Sequence, residues 1–213
     1  MWGEGAEFQG VGGRRASGVE RFGQGAGNVP LALSAHSVPM SRYRRVRVPG
    51  ASHFFTVALT DRGGSVLTDH VGLLRAAWRA TVAERPVFCD AMVVLPDHLH
   101  AVWTLPEGDA DYSERRRRIK ARFSQALGEH RPLSDSKVMK RECGVWQRRF
   151  WEHAIRDERD YRAHVEYCWG NPVKHGLVAR AVDWPFWSIH RDIRAGRVAP
   201  EWAGTMPGSD FGE

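Results

Sequence analysis

Apolar positions recur along this chain with a period of two in some segments and about 3.6 in others, and the switches between them outline its elements. From residue 53 to 60 the pattern alternates, with Phe55, Val57 and Leu59 on one face, until Asp61-Arg62-Gly63-Gly64 breaks it: a first strand and a turn. Thr68 or Asp69 then has the side chain to cap a helix whose Val71, Leu74, Trp78 and Val82 share a stripe, ending at Pro86. A nearly continuous apolar run from Val87 to Leu95 turns at Pro96-Asp97 into a strand from His98 to Leu105, and the two form a hairpin. In its second arm Leu99, Ala101, Trp103 and Leu105 alternate with His98, His100 and Val102. The core face and the histidine face are therefore opposite sides of one strand.

Further on, Ile119, Phe123, Ala126 and Leu127 carry helical spacing within residues 111 to 128, and Arg115 to Arg118, Lys120 and Arg122 supply a basic polar surface. Residues 129 to 144 are polar and irregular, which predicts a loop, and the aromatic stretch from Trp146 to Ile155 predicts a short edge strand. Asp157 caps a last helix, with Asp160 placed to favour its positive end. At about 100° per residue, Tyr161, Val165, Cys168 and Trp169 form the stripe expected against the sheet, and Tyr167 falls on another, polar face with His164 and Asn171. Pro172 disfavours helical geometry at Asn171, so that residue is expected on a kinked final turn. The order strand, helix, two strands, helix, short strand, helix predicts an α+β sandwich with an antiparallel sheet.

Length and composition bound what this core can be. With 213 residues and 42% hydrophobic content, one domain plus tails is expected. Residues 1–39 are rich in Gly, Ser and Ala without a sustained period, which predicts a disordered extension, and Met40 is a candidate translation start. The domain is placed at 40–204 and a disordered tail at 205–213. Three cysteines without C-x-x-C spacing fit ordinary thiols in a reducing cytoplasm. No apolar run approaches the roughly 20 residues that span a bilayer, and no signal-peptide pattern opens the chain, so the expected location is cytoplasmic and nucleoid-associated. A net charge of +6 and a pI near 9.6 favour a polyanionic partner.

His98-Leu99-His100 places two imidazoles on one side of a strand, where they can share a metal ion. A tyrosine that attacks phosphate needs charge stabilised on the equatorial oxygens, and a divalent ion on His98, His100 and a third ligand supplies that. Asn171, four residues after Tyr167, is the candidate third ligand, since an amide oxygen suits Mg²⁺ or Mn²⁺ and imidazole tolerates Mn²⁺ better. Solvated histidines and a packing tyrosine are the bland alternatives.

Three blocks change that balance: Leu95 to Asp109 with Pro96-Asp97-His98-Leu99-His100, Trp146 to Arg156 with Trp151-Glu152-His153, and Asp160 to Tyr167 followed by Asn171-Pro172-Val173-Lys174-His175-Gly176. Together with the segment after Met40 and the tail around Asp183-Trp184-Pro185-Phe186, they resemble the REP-associated tyrosine transposases over about residues 40 to 204. The resemblance implies a ferredoxin-like HUH endonuclease fold, a divalent metal on His98, His100 and Asn171, and Tyr167 as nucleophile. It implies single-strand cleavage and rejoining at palindromic hairpin DNA through a 5′-phosphotyrosine, in DNA transposition. Arg42, Tyr43, Arg44 and Arg45 resemble the family's N-terminal DNA-contact segment. Arg115, Arg118, Arg148 and Arg149 are further candidates for holding phosphates. A hairpin-binding regulator without catalysis and an RNA-directed nuclease are the rivals, and a monomer or a homodimer fits equally.

Overall fold

The computed structural model describes residues 47–128, 144–148 and 150–202. The expected extension and tail, the loop from 129 to 143, Arg42 to Arg45 and Arg149 lie outside the described residues. Four strands, β1 (Ser52–Ala58), β2 (Phe88–Val94), β3 (His98–Thr104) and β4 (Trp151–Ala154), form an antiparallel sheet in the order β2-β3-β1-β4. The α+β sandwich with an edge strand from the aromatic segment is therefore the architecture found.

Between β1 and β2 lie a short α1 (Val66–Asp69) and α2 (Val71–Glu84). Here the expected cap is corrected. Thr68 bonds back to the Ser65 carbonyl and Asp69 accepts from the Ser65 hydroxyl, so both sit inside a preceding turn. His70 occupies the junction to α2 and makes no side-chain cap. Helix α3 (Tyr112–Leu127) begins where Asp111 accepts from the Glu114 amide at 3.1 Å and ends at Gly128, whose φ of 64° is left-handed and costs glycine little.

Both faces of the sheet are covered, because β1 and β3 bury nearly every residue. On one face Phe55, Val57, Leu99, Ala101 and Trp103 pack under α2 and α3, with Trp78 against Trp103 at 5.2 Å between ring centres. On the other, Phe54, Val93 and Val102 lie under α4 (Glu158–Lys174) and the C-terminal segment with α5 (Ile189–Arg194). That segment seals the β2 edge. Trp184 Nε1 donates to the Val94 carbonyl, Met92 exchanges hydrogen bonds with Ser188, and Arg191 donates to the carbonyls of Cys89 and Asp90. Covering an edge strand in this way removes a template for unwanted pairing. Cys89 and Cys168 are buried between these layers, and burial pushes the Cys89 thiol up to about 12, as expected of an inert packing thiol.

Arg115 is corrected from phosphate contact to internal brace. It is 2% exposed. Its guanidinium donates to the carbonyls of Arg85, Pro86 and Asp111 and to the Asp109 carboxylate at 2.6 Å, stapling the start of α3 to the turn that leaves α2. Arg118 bridges Glu114 and Glu84, so its charge is already matched within the α2–α3 layer. The basic run thus ties two helices together. Arg115→Ala should cost about 3 kcal/mol by stranding these acceptors, lowering the melting temperature by roughly 6–12 °C in a domain of this size. Thermal unfolding checks this.

Candidate active site

The site lies on the sheet face beneath α4, and the register of β1 against β3 builds it. Thr56 pairs with His100 and Ala58 with His98, so a hydroxyl stands beside one imidazole and a small side chain leaves room by the other. Thr56 Oγ1 and His100 Nδ1 are 2.9 Å apart. His98 Nδ1 donates to Asp97 Oδ1 at 2.6 Å, and Arg62 holds the second oxygen of that carboxylate at 3.1 Å. Each ring is pinned through Nδ1, which turns its Nε2 to the site. His98 Nε2 is buried with no hydrogen-bond partner among the described residues. Burial also pushes the His98 pKa below its ordinary value, against the Asp97 hydrogen bond that raises it, so the ring is neutral and presents a lone pair at neutral pH. A buried orphan nitrogen on a ring oriented by a carboxylate fits a metal ligand.

Helix α4 starts at Asp157, whose side chain accepts from the Asp160 amide at 2.8 Å, and it runs unbroken through Pro172 to Lys174. The expected partition of its faces is revised. His164, Tyr167 and Asn171 are as deeply buried as Val165 and Cys168, while Trp169 is half-buried against Trp202. The face carrying Tyr167 is therefore sheet-facing. Asn171 sits within the helix one turn beyond Tyr167, not on a kinked end, since the chain turns only at Gly176 with φ 65°. Tyr167 packs edge-on against His100 at 5.2 Å and against Phe54 at 5.9 Å. The rings of His98 and His100 are 4.9 Å apart, and His175 approaches His98 at 5.1 Å. Tyr167 is fully buried. An open cleft of about 420 Å³, lined by Arg62, Gly64, Pro96, Asp97, His98 and His175, reaches His98 and His175 from outside.

Pattern reading missed Thr56, Arg62, Asp97, Lys174 and His175. Asp97 was the one with a local signal, lying next to His98. Thr56 is placed only by strand pairing. Arg148 is exposed on the segment before β4, and Arg118 is engaged by Glu84 and Glu114.

A second histidine cluster lies where β4 meets the start of α4. His153, Asp160 and His164 bring potential ligand atoms within 4.8 Å of one another. Asp160 accepts from His153 Nε2 at 2.7 Å and from the amide and side chain of Arg156, and His164 Nδ1 bonds the Asp160 carbonyl at 2.8 Å. The two imidazoles stack at 4.7 Å and 16°, which keeps their lone pairs from converging. This cluster is an ion-pair hub locking β4 to the first turn of α4.

No family model matches the chain. A sheet-borne histidine pair faces a helix-borne tyrosine, the arrangement that the resemblance to single-tyrosine HUH transposases implies, and the comparisons name the family. The chain is 45% identical over 174 residues to the REP-associated tyrosine transposase of Escherichia coli K12, covering 82% of this chain and 98% of that protein. It is 43% identical over 166 residues to a putative REP-associated tyrosine transposase of Haemophilus influenzae, covering 78% and 94%. A solved structure of a REP-associated tyrosine transposase bound to a REP hairpin superposes with a TM-score of 0.73 at 45% identity, covering 82% of this chain and 98% of that one. The chain belongs to the REP-associated tyrosine transposases.

Burial raises the Asp160 carboxyl pKa, but the hydrogen bonds from His153 and Arg156 outweigh it and bring the group from its ordinary 3.8 to about 2. A carboxyl depressed on folding adds stability that is complete above its unfolded value and is lost as pH falls toward the folded one. Asp160→Asn should therefore unfold more easily than wild type at neutral pH, and the two melting curves should converge between pH 4 and 2 as measured by circular dichroism.

Proposed function

We propose that this protein binds palindromic hairpin DNA and cuts and rejoins a single strand beside it, with Tyr167 as the nucleophile. The observation that carries this reading is the run of rings His98, His100 and Tyr167, at 4.9 and 5.2 Å, on one buried face of the sheet. The E. coli and H. influenzae relatives and the hairpin-bound structure support it.

In the cleavage step the Tyr167 oxygen bonds to phosphorus as the bond from phosphorus to O3′ breaks. The strand is left with a free 3′-hydroxyl and its other part attached as a 5′-phosphotyrosine. The tyrosine proton passes to solvent and the leaving O3′ takes one from solvent, so no net proton is consumed. The reverse attack by a 3′-hydroxyl rejoins DNA at the same site. His98, His100 and Asn171 would hold a divalent ion, Mg²⁺ or Mn²⁺, which would supply charge neutralisation at the phosphate. Asp97 and Thr56 orient the two rings, and Arg62 steadies Asp97. The cleft beside His98 is the approach for the strand. Arg148, exposed near β4, is retained as a phosphate contact, and Arg42, Tyr43, Arg44, Arg45 and Arg149 are assigned to DNA contact on sequence resemblance alone.

Incubation with a hairpin oligonucleotide carrying a single-stranded flank and Mn²⁺ should yield a covalent protein–DNA band on a denaturing gel. Tyr167→Phe should abolish it while leaving hairpin binding intact. A band that persists in the variant overturns the assignment of Tyr167, and hairpin affinity with no covalent product under either metal favours a non-catalytic binder.

The anchoring of His98 makes a second expectation. Asp97→Asn keeps the shape but removes the carboxylate, and loss of such a partner costs about 10–100-fold in metal affinity. Calorimetric titration of Mn²⁺ into the DNA-free protein should show that weakening. Unchanged affinity would remove His98 from the ligand set.

A further inference from the structure

Lys174 is the last residue of α4, seven residues after Tyr167, which is about two helical turns and therefore the same side of the helix. Its ammonium reaches back along that side and lies 3.2 Å from the Tyr167 hydroxyl oxygen. The same nitrogen is 5.1 Å from the centre of the Tyr167 ring. It is thus closer to the oxygen than to the π face, and the contact is a hydrogen bond along an oxygen lone pair. An ammonium is a donor only. The Tyr167 oxygen accepts from it, and the phenolic proton is directed elsewhere, away from the lysine.

A lysine in the last turn stabilises a helix through the macrodipole in any protein. That benefit needs no contact with Tyr167, whereas the observed side chain runs from an exposed helix end to an oxygen on a fully buried residue. The contact matters because that oxygen is the reacting atom. In cleavage it gives up its proton and forms the bond to phosphorus. In rejoining it is the leaving group and takes the electron pair of that bond. Both directions pass through a transition state in which the oxygen carries partial negative charge, which a cation held beside it stabilises.

Resting on the assignment of Tyr167 as nucleophile, we infer that Lys174 is a catalytic residue that aims the Tyr167 oxygen and neutralises the charge it carries as the phosphotyrosine bond forms and breaks. It abstracts no proton. The proton balance stays as given above, with solvent receiving the tyrosine proton and supplying one to O3′. Charge-assisted hydrogen bonds of this kind are the stronger class.

The test is a single-turnover measurement of covalent adduct formation at saturating hairpin, alongside hairpin affinity and melting temperature, for wild type, Lys174→Met, Lys174→Gln and Lys174→Arg. Met should keep affinity within about twofold and slow adduct formation by about 10–100-fold, as expected for loss of one charge-assisted hydrogen bond. Gln, which can donate without charge, should stay near Met, and Arg should recover most of the rate. The rejoining rate, read by adding a 3′-hydroxyl strand to isolated adduct, should fall with cleavage in Met. If wild type forms no adduct, the reading of Tyr167 fails and this inference with it. If wild type reacts and Met or Gln reacts as fast, or if the loss is in hairpin affinity or folding while Arg gives no recovery, Tyr167 stands and the role of Lys174 is overturned.

Discussion

The pleat of β3 is the constraint on which the molecule depends. Successive side chains leave a strand on opposite faces, so Leu99, Ala101 and Trp103 enter the core under α2 and α3 while His98 and His100 enter the layer under α4. A slip of one residue against β1 would exchange the two sets. It would drive two imidazoles into the apolar layer that Phe55 and Trp78 share, and it would separate His100 from Thr56. The apolar core on one face therefore enforces the chemistry on the other. Neither face is a solvated exterior, which is why β1 and β3 are buried almost throughout.

Much of this was legible as period and spacing. The alternation that set the histidines against Leu99, Ala101 and Trp103 is a property of the chain alone, as are the Asp157 cap and the helix ending at Gly128. What pattern could not supply was the partner of each face. The stripe Tyr161, Val165 and Cys168 was read as the buried side of α4 because it is apolar, yet Tyr167 and His164 are buried too, against Phe54, because the sheet presents aromatic and imidazole edges there. Arg115 looked like part of a solvated basic face. Its burial follows from acceptors on the α2–β2 turn, about thirty residues earlier in the chain, that periodicity has no means of anticipating. Thr56 and Lys174 join the site only through register and through a side chain reaching back along its helix.

Two histidine clusters lie on either side of Phe54, whose ring is 5.6 Å from His100 and 4.8 Å from His164. They show how the same residue types acquire different work. At His98 and His100 the carboxylate and hydroxyl sit behind the rings on Nδ1, leaving Nε2 to the site. At His153 the Asp160 carboxylate meets Nε2 and also accepts from Arg156, while His164 is held through Nδ1 by the Asp160 main-chain carbonyl at 2.8 Å. A carboxylate behind an imidazole prepares it for an electrophile; one in front of it consumes its hydrogen bond. Between His98 and His153 the distinction lies in which nitrogen meets the carboxylate, and composition cannot report it. The Asp160 hub nonetheless serves the site, because it fixes the first turn of the helix that carries His164, Tyr167 and Asn171 at intervals of three or four residues.

Helix α4 is held at both ends, which suits the chemistry proposed for Tyr167. Transfer to and from a tyrosine needs an oxygen fixed within a fraction of an ångström of its path, and a tyrosine on a helix inherits every movement of that helix. Asp157 and Asp160 tie the start of α4 to its own amides and to β4, while Lys174 ties its last turn to Tyr167. Pro172 lies between, where its lack of an amide donor weakens the helical ladder. Main-chain bonds from His175 to Asn171 at 3.0 Å and from Gly176 to Val173 at 2.9 Å close the turn beyond it. The lysine contact spans that point, linking the last turn of the helix back to Tyr167.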